Sequence, residues 1–144
     1  MALPNPEPGL VISYSYLWNN EHETGREDGT KDRPCVIVIT VRDEGGRQVV
    51  TVAPVTHSAP SVPEQAVEIP LATKQRLGLD EARSWVVVSE VNDFIWPGPD
   101  MRPLPHDASR FDYGLLPPGL FRQIRDRMTA WTAARQLKSV PRTE

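Results

Sequence analysis

The chain has 144 residues, 39% of them hydrophobic and 24% charged, with a net charge of −3. That is the size and balance of one soluble globular domain; it excludes a polycation, and the lack of any apolar run near ~18 residues excludes a membrane-spanning helix. A single cysteine, Cys35, excludes an internal disulfide, and fifteen prolines against nine glycines argue for short, sharply ended elements rather than a helical bundle.

In chain order, residues 1–8 carry three prolines and read as a loosely held arm. A first strand is expected over 10–18, where Leu10, Ile12 and Tyr14 alternate with Val11, Ser13 and Ser15 and the end is aromatic. Residues 19–32 are polar, charged and long for a connection, and are read as a lid over a site. A second strand is expected over 35–41. Its apolar run from Cys35 to Ile39 suits a strand buried on both faces, with Pro34 tolerated at the start and Arg33 just before it. Gly45 and Gly46 fit a hairpin loop over 43–47, leading to a third strand over 48–53 that Pro54 closes. The polar stretch Val55-Thr56-His57-Ser58 follows, then a loop over 59–65.

A short strand over 66–69 ends at Pro70, one or two helical turns fit 71–77, and Gly78 is a C-cap. Another strand is expected over 85–91, continuing or turning through 92–96 until Pro97-Gly98-Pro99 stops it. Residues 101–104 suggest a short edge strand. Pro117-Pro118 opens a helix running to about Leu137, with Leu120, Ile124, Met128 and Trp131 as one apolar stripe. The pattern is a small β-barrel or rolled sheet covered by helices: one domain over 9–138, between an arm and a tail of 139–144. Residues 110–144 hold seven basic residues against three acids, whereas 48–109 hold four against eight. The basic segment suits either a nucleic-acid backbone or a solvated helix face. With no charged-then-apolar leader, the cytoplasm is the expected compartment.

His22, His57 and His106 lack metal-ligand spacing, no glycine-rich phosphate cradle occurs, and Cys35 lies in a core strand. Arg33 precedes one strand of the hairpin and Thr56 follows the other, so both belong to its open end, near Ser58 and His57. An Arg fork with a hydroxyl and backbone N–H groups is a phosphate-binding set. The other reading pairs Arg33 with Asp32 or a loop acid.

Four stretches, in order, resemble the MazF/PemK family of toxin endoribonucleases. They are Gly9-Leu10-Val11 with Lys31-Asp32-Arg33-Pro34-Cys35-Val36-Ile37-Val38; Val50-Thr51-Val52-Ala53-Pro54-Val55-Thr56-His57-Ser58; the stretch from Gly78-Leu79 through Ser84-Trp85-Val86 to Ser89-Glu90-Val91; and Gly114-Leu115-Leu116 before the final helix. The resemblance spans about residues 9–130. It implies a mainly β fold, an SH3-like β-barrel of CcdB/PemK/MazF type with a C-terminal amphipathic helix, usually as a homodimer. It also implies metal-independent, cofactor-free cleavage of single-stranded RNA through 2′-hydroxyl attack, and an antitoxin protein as partner. In that family the Arg and Thr at these positions carry catalysis, here Arg33 and Thr56. Lys31, His57, Ser58, Trp18 and Glu90 are the candidate substrate-binding residues. Trp18 and Trp96 would either stack unpaired bases or belong to the core. The chain departs from the family in its acid-rich loop and in Asn92, where a basic residue is frequent. The alternative is a non-catalytic module on the same barrel, binding gyrase or another protein partner, or an inactive relative.

Overall fold

The computed structural model describes residues 3–20 and 32–142. Most of the expected lid, Lys31 included, lies outside the described residues. The elements are β1 (Leu10–Tyr14), β2 (Arg33–Arg42), β3 (Gln48–Thr56), a 3-10 turn (Pro63–Gln65), β4 (Ala66–Glu68), α1 (Leu71–Leu77), β5 (Trp85–Val87), β6 (Glu90–Ile95), β7 (Asp112–Leu115), α2 (Pro118–Ala133) and β8 (Lys138–Pro141). The sheet runs β4-β5-β3-β2-β1-β7, with β6 also on β3 and β8 beside β6. All pairings are antiparallel except β6 with β8.

The strands alternate between two cores because side chains alternate across a strand. Leu10, Ile12 and Tyr14, Cys35 and Ile37, and Val50 and Val52 pack on one face with Phe94 and Met101. Val11, Val36, Val38, Ala53 and Val55 pack on the other, beneath Leu120, Ile124 and Met128 of α2. The unbroken run from Cys35 is thus a strand covered on both faces, as its β-branching indicates. Ile39 is the exception; it stands exposed where β2 has run past the end of β1. Burying each of the three α2 side chains contributes roughly 1.5–3 kcal/mol. Trp131 is half-buried, and its indole N–H donates to the Glu64 carbonyl.

Several boundaries differ from expectation, each for a local reason. β1 stops at Tyr14, not residue 18. Beyond it Tyr16 and Leu17 stay buried, because the Asn92 side chain takes the place of a strand: Leu17 N–H donates to Asn92 Oδ1 (2.9 Å) and Asn92 Nδ2 to Leu17 O (2.8 Å). β3 does not close at Pro54 but runs to Thr56. Pro54 falls where β3 changes partner, between Val52 opposite Asn92 of β6 and Val55 opposite Val86 of β5, so the ladder there is already interrupted. The expected strand over 85–91 is two strands. Two residues of β3, 53 and 54, face five of its partner, 87–91, and the three extra residues interrupt the ladder between β5 and β6.

The expected edge strand at 101–104 is two single bridges, Tyr14 with Met101 and Leu104 with Asp107. α2 ends at Ala133, four residues before Leu137. There Arg135 adopts φ 58 and Gln136 N–H closes back on Trp131 O. Residues 138–141, read as the domain's end and a tail, are β8, with Val140 fully buried.

Candidate functional site

The β2–β3 register sets Cys35 opposite Pro54, and continuing it by two residues sets Arg33 across from Thr56. On the other side Arg33 pairs with Tyr14 of β1. Both side chains line one cavity of about 830 Å³, together with Trp18, His57 and Ser58. Five of the seven sequence-derived candidates therefore meet there. Lys31 is outside the described residues. Glu90 is in a neighbouring hollow of about 600 Å³, where it accepts the Asn19 N–H through Oε2 at 2.8 Å; Trp18 borders both spaces.

The Arg33 guanidinium sits 4.9 Å over the Trp18 ring and donates from Nη1 to Val55 O at 3.2 Å. A cation over an indole face is held without losing its donors in the ring plane. Its Nε is buried with no hydrogen-bond partner, and no carboxylate pairs with it among the described residues. Of the expected alternatives, an Arg33–Asp32 pair does not form, Asp32 lying 3.5 Å from Arg102 instead, and the loop acids over 21–28 lie outside the described residues. Thr56 Oγ1 accepts the Ser58 N–H at 3.1 Å, which fixes the oxygen and leaves the hydroxyl proton to donate. Cys35, two residues along β2, is fully buried; burial pushes its thiol up, so it is a packing residue rather than a nucleophile.

The opposite wall holds residues that the sequence reading did not assign. Lys74 of α1 is 2% exposed. Its Nζ donates to Asp80 Oδ1 (2.5 Å), to Ser84 Oγ (2.6 Å) and to the Ala82 carbonyl. Asp80 Oδ2 is 2.7 Å from His57 Nε2. Burial alone would raise the Asp80 pKa, but the hydrogen bond and charge of Lys74, with His57 adding, hold the carboxyl below its ordinary range. The signal for Lys74 was its place three residues before Leu77, on the face α1 buries. A lysine is read as solvated by default, which hid it. His106 and Tyr113 complete the cavity. Among the described residues no three His, Cys, Asp or Glu side chains gather as a metal site.

Both carboxylates of the cavity are thus matched to cations, Asp80 to Lys74 and Asp32 to Arg102, while the Arg33 charge has no carboxylate partner among the described residues. Together with a fixed hydroxyl, that arrangement can grip a tetrahedral oxyanion.

No sequence profile of a known protein family matches the chain, and no curated protein resembles it in sequence. Among solved structures, a chain of the MazE–MazF complex (Form-III) from Deinococcus radiodurans superposes with a TM-score of 0.53 at 16% identity, over 89% of this chain and 96% of that one. The likeness is one of fold: the chain has the mainly β, MazF/CcdB-like barrel expected from its motifs, with the amphipathic helix near its end.

Proposed function

We propose that the chain is a toxin of the toxin–antitoxin kind, a metal-independent endoribonuclease that cleaves single-stranded RNA through attack of a ribose 2′-hydroxyl. The observation that carries the reading is Arg33, unmatched by any carboxylate among the described residues, facing the Thr56 hydroxyl across two paired strand ends. As the 2′-oxygen approaches phosphorus, negative charge builds on the non-bridging oxygens. Arg33 meets that charge with its guanidinium, and Thr56 donates to a second oxygen. The products are a 2′,3′-cyclic phosphate and a 5′-hydroxyl end. Trp18 offers an aromatic edge beside the cleavage point for an unpaired base. A neighbour in fold is part of a MazE–MazF complex, which supports an antitoxin protein as partner; a homodimer is the working unit that the resemblance of the motifs implies.

The test is cleavage of an unstructured RNA in EDTA by purified, antitoxin-free protein. Arg33→Ala should lower the rate by about 10²–10³, the usual loss for one oxyanion donor. Thr56→Ala should lower it about 10–100-fold, matching roughly 1.5–3 kcal/mol for a hydrogen bond to a charged group. Folded wild-type protein that leaves varied RNAs intact would refute the reading. Growth inhibition that survives Arg33→Ala would point to a non-catalytic binding module.

A further inference from the structure

Arg33 and Thr56 can stabilise charge, but neither can take the proton that the 2′-hydroxyl must lose. A guanidinium has no acceptor atom and stays protonated, and a threonine hydroxyl is no base near neutral pH. The cavity contains a group that can. His57 follows Thr56 at the end of β3, 56% exposed on the cavity rim, with Nε2 held by Asp80 Oδ2. The same carboxylate is gripped through Oδ1 by Lys74, which Ser84 and the Ala82 carbonyl lock in turn. A carboxylate only accepts, so in the neutral imidazole Nε2 carries the proton and Nδ1 the lone pair. Nδ1 makes no hydrogen bond among the described residues.

We infer that His57 is the general base of this cavity, taking the 2′-hydroxyl proton on Nδ1, with Asp80 and Lys74 as the pair that positions it. The inference rests on the ribonuclease reading. In the step, the 2′-oxygen–phosphorus bond forms as the phosphorus–5′-oxygen bond breaks. The 2′-hydroxyl proton passes to Nδ1, the departing 5′-oxygen takes a proton from solvent water, and the imidazolium then returns its proton to solvent. The arrangement is a nucleophile-activating base oriented by a carboxylate, with a buried lysine keeping that carboxylate ionised and still. The other titratable or charged groups that line the cavity are Asp32, Arg33, Lys74, His106 and Tyr113. Of these only His106 is a second imidazole, and it makes no hydrogen bond to an orienting carboxylate among the described residues.

The experiment measures the pH dependence of RNA cleavage by wild type, Arg33→Ala, His57→Gln, Asp80→Ala and His106→Gln, each checked for folding by thermal melt. His57 and Asp80 are half-exposed, and assays run well below the lowered melting point of Asp80→Ala keep that variant folded. His57→Gln should lower kcat about 10²–10³-fold, the range of general-base catalysis, and flatten the limb along which the rate rises with pH. Asp80→Ala should lower kcat about tenfold with KM little changed, and displace that limb. Activity of His57→Gln within twofold of wild type, with the limb intact, overturns the inference while the Arg33 result still upholds the ribonuclease reading. A limb lost in His106→Gln but kept in His57→Gln reassigns the proton and overturns it too. Absence of cleavage by wild type overturns the reading beneath it, and the catalytic assignment of His57 with it.

Discussion

Lys74 is nearly sealed from solvent while its ionic partner Asp80 is 54% exposed, and this asymmetry makes a prediction against intuition. In Lys74→Met the aliphatic stem is kept and the ammonium is lost. Asp80 turns to water, so its lost partner counts at the surface rate of ~0–1 kcal/mol. Ala82 is exposed as a residue, so its carbonyl can turn to water once the ammonium is gone. Only Ser84, 1% exposed, loses a partner it cannot replace, and it still donates to Ala82 O at 3.3 Å. Against these losses stands relief from desolvating an ammonium, several kcal/mol in general. The net cost of Lys74→Met is about 1 kcal/mol. Asp80→Ala is the worse change, because it leaves the buried ammonium with neutral oxygens alone. Breaking a buried pair from one side costs ~3–5 kcal/mol, and the half-exposure of Asp80 reduces that to about 2–3. For a domain of this size the two variants should melt roughly 2–4 °C and 4–12 °C below wild type. The double variant Lys74→Met/Asp80→Ala should lie nearer to Lys74→Met than to the sum. Thermal melts and urea midpoints read all three. A Lys74→Met loss larger than that of Asp80→Ala would refute the reasoning, since losing the ammonium would then cost more than leaving it buried without its carboxylate.

The same pair gives an acid signature. Asp80 is held below its ordinary carboxyl range, so its contribution is complete above the unfolded value of ~3.9 and disappears as pH falls through the native one. The stability gap between wild type and Lys74→Met should therefore narrow from pH 6 to pH 3; a gap equal at both would sink this account. Tyr16 offers a test on the other core: its hydroxyl is buried without a hydrogen-bond partner among the described residues, and burial pushes its pKa up. Tyr16→Phe keeps the edge-on contact with Trp18, 5.1 Å between centroids, and should raise stability by about 1 kcal/mol; a lower melting point would mean the hydroxyl is satisfied.

The elements legible from sequence are those whose pattern is local. The β2–β3 hairpin is framed by Pro34 and by Gly45-Gly46, and α2 follows from Pro117-Pro118 and a stripe at helical spacing. That hairpin also made Arg33 and Thr56 legible as neighbours, because the two ends of one hairpin must lie together. What stayed hidden depends on distant partners. The run over 85–91 is continuous in composition, and only the change of partner along β3 breaks it. β8 carries one core residue, Val140, and owes its existence to the free edge of β6. Lys74 and Asp80 were hidden for a related reason: burial of a lysine is decided by what closes over it, not by its own segment.

Distant support reaches Arg33 as well. Trp18, the surface on which its guanidinium rests, follows Leu17, whose backbone is clamped on both sides by Asn92. Asn92 Oδ1 also accepts from Arg142 Nη1 at 3.1 Å, and Arg142 donates to Ser15 O. Arg142 closes the chain of contacts by a buried ion pair with Asp100 at 2.8 Å. The links join buried donors to buried acceptors, and such polar networks rigidify the groups they connect. Position 92, where the resemblance leads one to look for a basic residue, instead holds an amide that receives a cation from beyond β8. The charge is supplied from another part of the chain, and with it the C-terminal strand becomes part of what holds the Arg33 rim of the cavity in place.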